Sequence, residues 1–236
     1  MAVKSFSTGC KWLFSLGQKE RSVTDAAEKL QRSMRVTAKC RYNAAERLRW
    51  QGKFAFFTTT VLSLGLIFIP LMQNAGVFLA FRPNVLNMIQ IFLAVAVLVY
   101  SVVIGTARYE MRAENLTECG NKLKELIREL DKARESKKNT LDEDLTTYQM
   151  RYSDVVIDSE NHMRSDYRLA MAEMSNDYYI SGFPRLINYA LAYFERGIAF
   201  IVPFFMIGFE IIFITDMIGV SKILVPYFNL APPMAE

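Results

Sequence analysis

The chain has 236 residues, of which 52% are apolar, a net charge of +4 and a single histidine. Such averages fit an ordinary domain, so the class is decided by how the residues are distributed. They do exclude a paired-histidine metal centre, because His162 has no second imidazole to share an ion with. Cys10, Cys40 and Cys119 are too scattered for a zinc knuckle, a redox pair or a disulfide framework.

The amino terminus carries Lys4, Lys11 and Lys19 around the short Trp12-Leu13-Phe14 cluster, a pattern unlike a secretory signal, and Ala2 stands where myristoylation needs glycine. Residues up to about Gln18 are expected to be loosely ordered, with Trp12 and Phe14 available to the membrane interface or to another part of the protein. From Thr24 to Trp50 the spacing predicts a helix, with Asp25 and Glu28 near its start and bases toward its end, running into or packing beside the first apolar stretch. Residues 1–53 hold most of the unbalanced positive charge. This suits the anionic inner leaflet and, with no nucleic-acid motif present, disfavours direct nucleic-acid binding.

Two uncharged stretches come next, Phe54 to Met72 and Val85 to Ala107, joined by a link containing Arg82, Pro83 and Asn84. Each is long enough to cross a bilayer as a helix, and neither keeps the polar face that a buried core helix of a soluble protein would have. Thr58, Thr59, Thr60 and Ser63 can bond back along the first span, Gly65 permits close approach, and Pro70 is expected to end the span or kink its last turn. Ser101, Gly105 and Thr106 give the second span a small-residue surface for packing. Lys39, Arg41, Arg47, Arg49 and Lys53 precede the pair and Arg108 and Arg112 succeed it, so both flanks are expected in the cytoplasm.

Beyond Ala107, Leu116, Cys119, Leu123, Leu126 and Leu130 step by three and four through a charged background, a coiled-coil stripe. Together with the second span it predicts one long helix, about Val85 to Arg134. The run Ser136-Lys137-Lys138-Asn139 should end it, and Thr140 with Glu143 has the form of a capping box. Leu145, Tyr148, Tyr152 and Val155 let the next helix return antiparallel along the stripe. The stripe serves either this hairpin or assembly between subunits. The segment from Asp158 to Tyr167 places acid, histidine and acid near one another. A hydrogen-bonded corner is the expected role, since no nucleophile, phosphate loop, metal set or cofactor motif supports catalysis.

Gly182-Phe183-Pro184 punctuates the chain before a third hydrophobic region, Ile187 to about Val225. Gly197 to Val220 is long enough to span, yet it contains Pro203, Glu210 and Asp216, so crossing, re-entry and interfacial placement all stay open. Glu210 and Asp216 are candidates for lining a pore, Glu210 alternatively standing in water. Lys222 lies six residues beyond Asp216, too far for a helical pair.

The order of these features resembles the SLATT family of two-span effectors from bacterial conflict and anti-phage systems. The residues carrying the resemblance are Arg41 to Leu48 before the first span, the span pair, Ala113 to Cys119 after it, and Glu160-Asn161-His162 with Asp166-Tyr167 just beyond, within residues 35 to 175. The resemblance implies an effector that damages or permeabilises the inner membrane when a companion sensor detects infection. In that family the sensor is a nucleotidyltransferase making a nucleotide messenger, or in some subfamilies a neighbouring reverse transcriptase. The third hydrophobic segment lies outside the two-span core of the resemblance.

The expected fold is therefore an all-α membrane protein. Residues 1–53 form a basic cytoplasmic helical segment, 54–107 a transmembrane hairpin, 108–183 a cytoplasmic helical hairpin, and 184–236 a C-terminal hydrophobic segment. The expected function is a homo-oligomeric effector of the bacterial inner membrane that permeabilises or depolarises it. The alternative is a non-conducting scaffold that recruits a cytoplasmic partner through its hairpin. Site expectations are Glu210 and Asp216 for the pore, Gly65, Ser101 and Gly105 for span packing, and Leu116, Leu123, Leu126 and Leu130 for assembly.

Overall fold

The computed structural model describes residues 12–16, 18–136 and 141–228, which are helical apart from connecting segments and one isolated antiparallel bridge between Glu20 and Tyr178. Helix α1 runs from Ala26 to Asn74 without interruption. Asp25 precedes it and accepts the Ala27 amide at 3.4 Å, satisfying one of the free N–H groups of the first turn. Thr58, Thr59 and Thr60 return their hydroxyls to the carbonyls of Phe54, Ala55 and Phe56 at 2.9, 3.0 and 2.9 Å. Polar side chains are thereby satisfied inside an apolar helix. Pro70 does not end α1, which continues for another turn to Asn74.

Helix α2, Pro83–Ala107, opens with proline at its first position, where the missing N–H costs nothing. The expected single helix from Val85 to Arg134 is broken in two. Arg108 takes a left-handed conformation, φ 46° and ψ 43°, and α3 begins only at Tyr109 and runs to Ser136. One left-handed residue caps a helix without disturbing the apolar spacing on either side, so periodicity could not reveal it.

Helix α4 covers Leu141–Ile157; the capping box of Thr140 and Glu143 lies outside the described residues and side chains. Next come helices α5, Arg164–Glu173, and α6, Gly182–Gly197. A 3₁₀ turn at Ile198–Phe200 then leads into α7, Ile201–Met217. Pro203 accounts for this change of geometry, since it has no N–H to offer the carbonyl of Ala199 four residues back. A short helix, α8, spans Val225–Phe228.

The chain divides into two compact units. The first contains residues up to Arg49 together with Tyr109–Ile198. Its core is the leucine stripe of α3. Leu116, Leu123, Leu126 and Leu130 are at most 2% exposed, packed against Leu30, Met34, Ala38, Ala44, Ala45 and Leu48 of α1 and against Leu145, Tyr152 and Val155 of α4. The stripe expected to serve assembly is thus filled within one chain, because α1 supplies the third side of a seam for which α4 alone is too narrow. Of the amino-terminal segment expected to be loose, the described residues Trp12 and Ser15 are held here: Ser181 Oγ donates to Trp12 O at 2.7 Å and Ser15 Oγ to Tyr179 O at 3.2 Å. Just beyond it, Tyr179 N–H donates to Lys19 O at 2.9 Å and Arg21 N–H to Asp177 O at 3.1 Å.

The second unit takes Trp50–Arg108 and the chain from Ala199 onward. Leu62 and Ile69 of α1, Leu86, Ile89 and Leu93 of α2, and Phe213 and Met217 of α7 form its core, with Phe81 stacked on Phe213 at 4.8 Å between ring centroids. The outward residues are apolar as well, including Phe56, Ile67, Ile91, Leu98, Phe205 and Ile211. A surface of this kind is suited to lipid or to another apolar chain rather than to water.

Candidate functional site

In the membrane unit the decisive feature is Glu210, 2% exposed, on the face of α7 that meets α1. Its position depends on Gly65. A Cβ at residue 65 would stand 1.8 Å from Glu210 Oε1, so only glycine leaves room for the carboxyl group against the helix backbone. Both carboxyl oxygens of Glu210 are buried without a hydrogen-bond partner. An isolated carboxylate in so apolar a setting is far too costly to persist unaided, so the group requires a proton or a cation. The sequence expectation placed Gly65 in span packing and Glu210 in the pore; the structure brings the two into one contact.

Asp216 has a different surrounding. It is fully buried and accepts hydrogen bonds from the Ser221 hydroxyl and from the amides of Leu224 and Val225, the last at 3.2 Å. The carboxylate therefore holds the turn after α7, and the partners Lys222 could not supply come from a hydroxyl and two backbone N–H groups. Ser101 and Gly105 lie on an exposed face of α2, and a Cβ added to Gly105 would meet nothing within 4 Å. Packing through these residues would have to involve lipid or another chain.

The first unit contains a polar centre built on Asp166, which is fully buried. Arg47 grips it with two bonds, Nε to Oδ1 at 3.2 Å and Nη2 to Oδ2 at 3.1 Å. Arg196 of α6 adds a bond to Oδ1 at 3.1 Å and another to the Asn43 carbonyl at 2.9 Å. Met163 N–H donates to Oδ2 at 3.0 Å, and Asn43 Nδ2 donates to the Asp166 carbonyl at 3.2 Å. One carboxylate thus ties α1, the start of α5 and the end of α6 together through bonds of 3.0–3.2 Å, three of them from guanidinium groups.

Beside it, Arg41 donates to the Glu160 carbonyl, while the Glu160 carboxylate takes Arg112 Nε at 2.9 Å. The hydrogen-bonded corner expected from Asp158 to Tyr167 is this arrangement. His162 is held below the ordinary imidazole range by burial and by the Arg41 charge, and its Nδ1 is buried with no partner. Burial first, and then the charge of Asp166, push the Cys40 thiol up to about 12, which leaves it protonated and poorly nucleophilic. Cys40 and Cys119 are both free thiols, and Cys10 lies outside the described residues.

The family stretches therefore converge. Arg41, Asn43 and Arg47 meet Glu160, Asn161 and Asp166, while Ala113 and Leu116 pack on Ala44, Ala45 and Leu48. A family model, the SMODS and SLOG-associating 2TM effector domain family 5, matches residues 23–218. The chain belongs to this SLATT family. The match extends well past residue 175 and takes in α7, so the third apolar helix that the resemblance left outside falls within the SLATT match. The family description counts two transmembrane segments, whereas among the described residues three helical stretches are long and apolar enough to cross a membrane: Ala26–Asn74, Pro83–Glu135 and Gly182–Met217. No curated protein and no solved structure matches the chain.

Sequence reasoning missed Arg196 and the role of Asp166 as a hub. Arg47 and Asp166 both stand in the stretches that carry the SLATT resemblance, but their pairing across 119 residues has no local signature. Arg196 looks in sequence like a solvated base at a helix end.

Proposed function

We propose that this SLATT protein is a homo-oligomeric effector of a bacterial conflict or anti-phage system that depolarises the inner membrane when a companion sensor signals. The observation that carries the reading is Glu210, a partnerless carboxyl group buried against Gly65 among apolar spans. Evolution of a soluble or purely structural helix would have no use for so costly a group, and intramembrane acids ordinarily serve ion or proton paths. In this reading the described state is closed, with Glu210 held in the Gly65 notch. A signal that favours a second state opens the path by withdrawing α7 from α1, which requires the signal to bind the two states with different affinity. The family context supports a nucleotidyltransferase with its nucleotide messenger, or a reverse transcriptase, as the companion. The positive flanks support a cytoplasmic placement of the first unit.

The scaffold alternative recruits a cytoplasmic partner through the hairpin of α3 and α4, which also carries the leucine stripe. Those leucines are core residues, so recruitment in that reading falls to the outer face of the hairpin.

The test is membrane potential and dye entry in bacteria expressing the chain from a tight promoter, with and without its genomic neighbours. Rapid depolarisation that precedes loss of viability and depends on a neighbour is expected. Glu210→Gln should abolish most of it at equal protein level in the membrane. Gly65→Ala, which displaces the carboxyl group, should depolarise without any signal. Unchanged potential in all these strains overturns the effector reading.

A further inference from the structure

Helix α6 is amphipathic in the reverse sense to a helix of a soluble domain. Its packed side is the polar one: Arg196 bonds Asp166, Glu195 pairs with Arg168, and the small Ala192 between them is fully buried. Its apolar side faces outward. Phe183, Leu186, Ile187, Leu191 and Phe194, continued by Ile198 just past its end, recur at helical spacing and are between 41% and 70% exposed. A helix that spends its polar face on the protein and leaves a broad apolar face open is arranged for a non-aqueous neighbour.

The amino-terminal turn extends this surface. Ser181 Oγ donates to the Trp12 carbonyl at 2.7 Å, and the Ser181 amide donates to Ser15 Oγ at 3.4 Å. Gly182 has φ +56°, and a Cβ there would stand 2.3 Å from the Leu13 carbonyl oxygen, so glycine is needed both for its backbone and for the approach of this turn. The turn so fixed leaves Trp12, Leu13, Phe14 and Leu16 46% to 65% exposed. Two segments remote in sequence thus contribute to one apolar surface at the start of α6.

The chain itself says what covers it. The apolar run Gly182–Met217 has 36 residues, about 54 Å as helix, against a hydrocarbon core of about 30 Å. The 17 residues of α7, about 25 Å, nearly account for a crossing by themselves. Helix α6, joined to α7 by three residues, must then remain within reach of the bilayer surface yet outside its centre, as its Arg185, Glu195 and Arg196 require. We propose that α6 and the Trp12–Leu16 turn form a lipid-binding surface that lies in the plane of the membrane interface, independently of whether the spans conduct. A helix at this position, tied through Arg196 to the Asp166 centre, would report the state of the bilayer surface to the polar core of the first unit.

The experiment is nitroxide depth measurement on the full chain in lipid vesicles, on a background with Cys10→Ser, Cys40→Ala and Cys119→Ala, labelled singly at Phe183→Cys, Ile187→Cys, Leu191→Cys and Phe194→Cys. All four labels are expected to be open to oxygen, shielded from a water-soluble nickel chelate, and at one common depth of about 5–10 Å. Depth increasing steadily from 183 to 194 would make α6 part of a span and overturn the proposal. Labels closed to both reagents would place a second copy there, and labels open to the chelate would place water there; either outcome also overturns it. Should the cysteine-free background fail to insert, Trp12 fluorescence in the Trp50→Phe chain gives the same answer. Strong quenching by shallowly brominated lipid supports the surface, and none refutes it. Loss of depolarisation in the effector assay leaves these readings unchanged, so the two proposals fail separately.

Discussion

The most consequential residue of the first unit is Asp166. Its carboxylate receives four hydrogen bonds, two from Arg47, one from Arg196 and one from the Met163 amide. Such a buried pair adds little net stability over an apolar replacement of the same shape, since desolvation offsets the attraction, but removing one partner leaves the other charges stranded. Asp166→Ala abandons two guanidinium groups that have no other carboxylate among the described ion pairs. The first unit should lose about 3–5 kcal/mol, the usual cost of breaking a buried pair on one side. Amide exchange checks this: protection should fall over residues 164–173 and around residue 47, while exchange within the spans stays as it was. Protection unchanged in the first unit would show the ion cluster to be superficial.

At the scale of elements, the leucine stripe of α3 separates two kinds of explanation. As a seam between subunits, Leu123→Asp would yield a folded chain that no longer assembles. As core, with Leu123 fully buried against Ala38 and Val155, it must take the first unit apart, because an unpaired carboxylate replaces a side chain whose truncation alone costs about 2–5 kcal/mol. The expected result is helix loss and protease sensitivity by circular dichroism and limited digestion, rather than a well-folded smaller species on light scattering. The helices themselves were largely legible in the sequence, since hydropathy and three-four spacing reflect local burial. Less visible was which elements share a core. The α1 face of Leu30, Met34 and Ala38 shows only a modest stripe, and its partners lie more than 80 residues away. The break at Arg108 was hidden for another reason: a single left-handed residue without glycine or proline carries no compositional mark. Glu210 could be singled out from its charge, whereas the glycine that accommodates it could be recognised only as small.

For the molecule as a whole, the number of crossings governs where every other feature acts. A hairpin of two spans returns the chain to the side on which it began, and in the orientation we propose from the bases before Phe54 and after Ala107 that side is the cytoplasm. A third crossing by α7 would leave α8 on the opposite side. Its 17 residues just suffice for this, provided that Glu210 faces the protein and Asp216 lies near the boundary, where the Ser221 to Val225 turn satisfies it. Alkaline phosphatase is active only after export, so fusions report the two ends of this segment. Joined after Ser181 the enzyme should be inactive, and joined after Phe228 it should be active. Inactivity at both positions would make α7 a re-entrant helix and remove Glu210 from any path through the membrane. Activity at Ser181 would reverse the hairpin and place the Asp166 centre where no cytoplasmic sensor could reach it, so that the effector reading would lose its trigger even if the membrane unit conducts.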